Sequence, residues 1–124
     1  MQNTLAILSL EAGAAILFWL VFVVIETAIL QICNWDEFRS CLKSSFLANL
    51  ASGIFMIFSL IMIPRLGLAG LIAGALLSIF IEGLVLLRLK PGNKHKSWLA
   101  AILANFASFL ILIVPIFWYT HEMI

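Results

Sequence analysis

Leu47-Ala48-Asn49-Leu50-Ala51-Ser52 and Leu103-Ala104-Asn105-Phe106-Ala107-Ser108 are near-copies, 56 positions apart (105 − 49) in a chain of 124 residues. The same interval separates Ile25-Glu26 from Ile81-Glu82 and Leu30 from Leu86, with no gap needed. Apolar matches come cheaply in so apolar a chain. The polar ones, Glu, Asn and Ser, do not, because buried polar residues are rare in membrane helices. The spacing therefore predicts a duplicated unit: a first repeat over about residues 4–64 and a second over about 66–119.

The rest of the chain says what medium surrounds that unit. Hydrophobic residues make up 65% of it and charged residues 10%, and the mean hydropathy is +1.19. A soluble domain of this size needs a polar skin that these residues cannot supply. A helix that crosses a bilayer needs about 20 apolar residues. Four such stretches fit, over about Thr4–Ile32, Ser44–Ile63, Gly67–Leu89 and Ser97–Tyr119, with Pro64 and the Pro91-Gly92-Asn93 segment as breaks. Pro115 is placed to kink the last one. The expected fold is all-α: a polytopic membrane protein of four transmembrane helices, one transmembrane domain over residues 1–124 with no soluble domain. Because each repeat holds two spans, the repeats are expected to be parallel, related by a pseudo-twofold axis along the membrane normal. The N-terminus lacks a basic stretch and a small-residue cleavage site, so the first apolar run reads as a mature helix.

Orientation follows from lysine and arginine. Arg39, Lys43, Arg88, Lys90, Lys94 and Lys96 cluster around the first and third loops, and Arg65 alone lies opposite. Loops at about residues 33–43 and 90–96 are expected to be cytoplasmic and both termini non-cytoplasmic, in a bacterial inner or thylakoid membrane. Trp98 and the Trp118-Tyr119 pair stand where interfacial anchors belong.

Counting about 1.5 Å of rise per residue from the helix ends puts Glu26, Asn49, Ser52, Glu82, Asn105 and Ser108 in one layer, in the cytoplasmic half of the bilayer. Two uses for that layer stay open. The residues can serve as glue through interhelical hydrogen bonds of roughly 0.6–2 kcal/mol each. Alternatively, two symmetry-related carboxyls, with amide and hydroxyl oxygens beside them, can hold a proton or a cation. Glu11 is read as an outer-face partner for Arg65. Gly70, Gly74 and Ser78 have small-xxx-small spacing, which predicts close packing of the third helix on Ala12–Ala15 of the first. Arg88, Lys90, Lys94 and Lys96 offer contacts to anionic lipid headgroups.

No HExxH, GxSxG, GxGxxG or P-loop occurs, and no base is near Ser52 or Ser108 in sequence, so an enzyme is not expected. Cys33 and Cys41 lack metal-ligand spacing, and both histidines, His95 and His121, lie outside the spans; neither a metal nor any other cofactor is expected. A basic face or aromatic platform for nucleic acid is missing as well. The signature residues of small multidrug exporters and of dual-topology fluoride channels are absent. Over one hairpin and three polar residues, the 23-residue Glu26-to-Asn49 interval followed by Ser52 is similar to the membrane part of cyanobacterial filament-integrity proteins. The function expected first is that of a small non-enzymatic accessory or assembly subunit of a larger membrane complex. Its partners would be the lipid bilayer and other membrane subunits, or a second copy of itself. The alternative is a small proton- or cation-coupled transporter or channel using the polar layer.

Overall fold

In the computed structural model, which describes residues 2–62, 67–113, 115 and 118–119, the chain is all-helical, with no strand among those residues. Four helices follow one another: α1 Gln2–Ile32, α2 Phe38–Met62, α3 Gly67–Leu89 and α4 Lys94–Ser108. A short π-helical segment, Phe109–Ile113, continues α4. Two stretches, Asn3–Ile32 and Ile72–Leu89, are long and apolar enough to cross a membrane, with mean hydropathies of 2.4 and 2.1. The polar residues of α2 and α4 cluster toward their starts: Arg39, Lys43, Ser44 and Ser45 in α2, Lys94, His95 and Lys96 in α4.

The helices form a ring. Both α1 and α3 pack against α2 and α4, so α1 and α3 stand diagonally across the bundle. This corrects the expectation of a tight α1–α3 crossing at Gly70, Gly74 and Ser78. Gly74 and Ala75 line a cavity that Ala14 and Ala15 also line. A small side chain permits close approach, and it equally leaves room, so the sequence pattern alone does not choose between the two.

Among the described residues, the buried apolar cluster lies at the loop end. Leu30, Trp35, Cys41, Leu86, Ala100 and Ala101 are all buried there in one cluster. Leu30 and Leu86, the 56-spaced pair, are both fully covered. At the opposite end, residues 3–17 of α1 are exposed.

The first loop is built by the end of α1. Asn34 takes φ +49°, the left-handed region that asparagine tolerates best after glycine. Its N–H reaches the Gln31 carbonyl, and the Trp35 N–H reaches the Leu30 carbonyl, both at 3.0 Å. These two bonds satisfy carbonyls that the end of a helix would leave open, and they bring Trp35 down onto Leu30. The Asp36 carboxylate then accepts the Glu37 N–H at 2.9 Å and the Ser40 hydroxyl at 2.7 Å. With those groups satisfied, α2 begins at Phe38 instead of Ser44.

Gly83 of α3 is buried against Trp98 of α4; a methyl group there would collide with the indole ring. At the far end of α4, Pro115 has no N–H to offer the Ile111 carbonyl and its ring crowds that turn. The chain accommodates this by widening into the π-helical segment just before it, so α-geometry is interrupted after Ser108 and is found again at Pro115, Trp118 and Tyr119.

Candidate functional site

The two helical hairpins share one asparagine-centred bonding pattern. Asn49 of α2 donates one amide proton to Glu26 of α1 and another to the Ser45 carbonyl, one turn back, at 2.9 Å. Asn105 of α4 donates to Glu82 of α3 and to the Ala101 carbonyl, also at 2.9 Å. Residues 45 and 101 are themselves 56 apart (101 − 45). Each asparagine thus spends both amide protons, one holding its own helix and one reaching the helix before it.

The hairpins are also joined to each other. Ser52, three residues after Asn49, donates its hydroxyl to Glu82 Oε1 at 2.8 Å and lies 3.3 Å from the Asn49 carbonyl of its own helix. One turn of α2 therefore binds both carboxyls. Ser78, one turn before Glu82 on α3, donates to the same oxygen at 3.0 Å. The sequence reading assigned Ser78 to packing; its i, i+4 spacing to Glu82 was the visible sign of this second use. Glu26, Asn49, Ser52, Glu82 and Ser108 are buried, and Asn105 is half-buried.

These residues line an open cavity of about 670 Å³ to which all four helices contribute. The polar layer is its floor. Phe18, Trp19 and Phe22 of α1 make an aromatic wall, and Gly53, Gly74 and Ala75 leave space. Glu26 is 2% exposed, and its Oε1 is the single buried side-chain oxygen or nitrogen without a hydrogen-bond partner among the described residues. Such an atom has lost water and gained nothing in return. In chemical terms the site can accept a proton or a positively charged donor. Among the described residues no three His, Cys, Asp or Glu side chains group closely enough to hold a metal ion.

Other expected residues fall elsewhere. Glu11 is exposed on α1, while Arg65 lies outside the described residues. Arg88, Lys94 and Lys96 are exposed and Lys90 is half-buried, and Lys90 and Lys96 also reach the first loop. Lys90 Nζ donates to the Trp35 carbonyl at 2.7 Å, pairs with Asp36 Oδ1 at 3.3 Å and sits over the Trp35 ring. Lys96 Nζ donates to the Asn34 carbonyl at 3.1 Å. Trp35 Nε1 donates to Ser97 Oγ at 2.9 Å, fully buried, so the two loops are latched together. The sequence reading missed this latch because its partners lie 62 positions apart and no local pattern joins them.

Outside the apolar layer, the Ser40 hydroxyl, the Glu37 N–H and Lys90 hold the Asp36 carboxyl below its ordinary range. Burial pushes the Cys33 thiol up, with Lys96 pulling the other way, so Cys33 reads as a packed thiol and not a reactive one.

No family model, curated protein or solved structure matches this chain.

Proposed function

We propose that the chain spans the membrane four times, as two tandem parallel-repeat hairpins related by a pseudo-twofold axis along the membrane normal. In this reading residues 1–124 form one transmembrane domain of a bacterial inner or thylakoid membrane. The loops at about 33–43 and 90–96 lie in the cytoplasm and both termini lie on the other side. Support comes from the outward faces, where Leu10, Leu17, Val24, Leu76 and Phe80 are exposed while the polar groups of the same helices turn inward. That arrangement is stable in acyl chains and costly in water.

Within that frame the protein is a small, non-enzymatic carrier or channel that takes up a proton or cation at the Glu26–Glu82 layer. One observation carries this reading: a buried carboxyl oxygen without a donor at the floor of an interhelical cavity. Glue alone accounts for the asparagine bonds and leaves the cavity and the bare oxygen unused. The test is ion flux into liposomes containing the purified protein alone. Flux is expected, and Glu26→Gln or Glu82→Gln is expected to abolish it. Absence of flux from well-folded protein would overturn the reading.

A second reading is that of an accessory or assembly subunit of a larger membrane complex. It is favoured by the asparagines, whose four amide protons are all spent inside the protein. Isolation in mild detergent separates the two: a subunit emerges with stoichiometric partners, and a carrier emerges alone or with copies of itself.

A further inference from the structure

We infer that the cavity is a site for an amphiphilic organic ammonium ion, a protonated amine with an apolar body, whose N–H is taken by Glu26. The inference rests on the reading of the polar layer as a cation site and names the class of cation.

The argument begins with size. A proton occupies no volume, and a metal ion wants a close shell of oxygens, six to eight for calcium. A cavity of about 670 Å³ instead falls in the range that encloses small organic molecules. Its lining is mostly apolar, with Phe18, Trp19 and Phe22 on one wall. Aromatic faces attract a cation as well as covering an apolar body.

Charge and hydrogen bonding narrow the class. Glu82 is supplied by Asn105, Ser52 and Ser78. Glu26 keeps one oxygen unsupplied. The floor thus calls for one donor bearing one positive charge. A primary, secondary or tertiary ammonium meets that demand. A quaternary ammonium has the charge without the N–H, and an alcohol has the donor without the charge.

A groove also borders the cavity on its outer side. A side groove of about 250 Å³ between α1 and α2 shares Trp19, Asn49 and Gly53 with the cavity and is flanked by Leu50 and Ile54. Both of those residues are exposed on the bundle's outer face. An amine dissolved among acyl chains reaches the floor through this groove without crossing the loops.

The test is calorimetric titration of the full chain in nanodiscs of zwitterionic lipid, with empty nanodiscs as the blank. Three probes share one tail: n-octylammonium, octyltrimethylammonium and 1-octanol. Octylammonium is expected to bind one per chain. The trimethyl analogue and octanol are each expected to bind at least about tenfold more weakly, the worth of one charge-assisted hydrogen bond. Glu26→Gln is expected to produce the same loss. Gly53→Phe, which gives α2 the residue found 56 positions later at Phe109, is expected to block binding by filling space without touching the carboxyls. A Cβ at Gly53 meets nothing within 4 Å, so that variant is expected to fold. Equal binding of the primary and quaternary ammonium, or affinity unchanged in both variants, would overturn the proposal. Flux of protons with no octylammonium binding would sink this inference and leave the carrier reading standing. Binding with no flux would do the reverse.

Discussion

Glu26 and Glu82 occupy equivalent places in two copies of one hairpin, yet their surroundings differ. Glu82 receives three side-chain donors, and Glu26 keeps a bare oxygen. One substitution and one unshared bond account for the contrast. Where α3 has Ser78, α1 has Phe22, so Glu26 loses the donor on its own helix and gains part of an aromatic wall. Ser52 crosses to Glu82, but Ser108, its twin, makes no such bond to Glu26. The helix leaves α-geometry at the residue after Ser108. The two carboxyls thus share an asparagine donor, but one is fully supplied and the other is open.

The contrast breaks or sharpens most readily at the asparagines. Asn49→Leu takes the amide donor from Glu26 and is expected to cost about 3 kcal/mol, because a buried charged-type group loses its partner. Asn105→Leu leaves Glu82 with Ser52 and Ser78 and is expected to cost about 1–2 kcal/mol. Unfolding of both variants in mixed micelles measures the difference; equal losses would erase the distinction between the two acids. Next comes the position one residue after each acid, Thr27 in α1 and Gly83 in α3. Gly83→Ala drives a methyl into Trp98 and is expected to cost about 2 kcal/mol by overpacking. Thr27→Ala gives up a bond to the Val23 carbonyl of its own helix and is expected to change stability by less than about 0.5 kcal/mol.

The serines give a smaller effect. Ser52→Ala removes the bond between hairpins and is expected to cost about 1 kcal/mol, whereas Ser108→Ala is expected to be near neutral. A matching loss at Ser108 would mean that it does reach Glu26 in the membrane. The smallest effect belongs to the loops. Asp36 anchors the first, and its 56-spaced counterpart in the second is Gly92. The Asp36 carboxyl titrates below its ordinary 3.8 in the folded chain, so the stability it adds is fully present above that value. It fades as pH falls through the lower folded value. Asp36→Asn is expected to flatten that acid-side slope slightly in thermal melts taken across low pH, with no change near neutrality.

The residues that were legible in the sequence are those whose chemistry is out of place. A glutamate and an asparagine inside apolar runs stand out, and their repeated spacing tied Glu26 to Asn49 and Glu82 to Asn105 before any coordinates. Small residues carry no such mark. Gly70, Gly74 and Ser78 suit a tight crossing and a hollow equally, and the ring arrangement decides for the hollow at Gly74. The start of α2 was hidden for a different reason. Arg39, Ser40 and Lys43 look like a loop by composition, and only the Asp36 side chain makes their turn helical. The aromatic wall was unreadable because Phe18, Trp19 and Phe22 look the same whether they face lipid or a cavity.

The bond from Trp35 to Ser97 closes the ring at the loop end, where the buried apolar cluster also lies. A bundle clamped there and loosely filled beyond behaves as a peg with its spring at the loops. Among the described residues, the amides beside Trp35 are the ones expected to exchange most slowly with solvent.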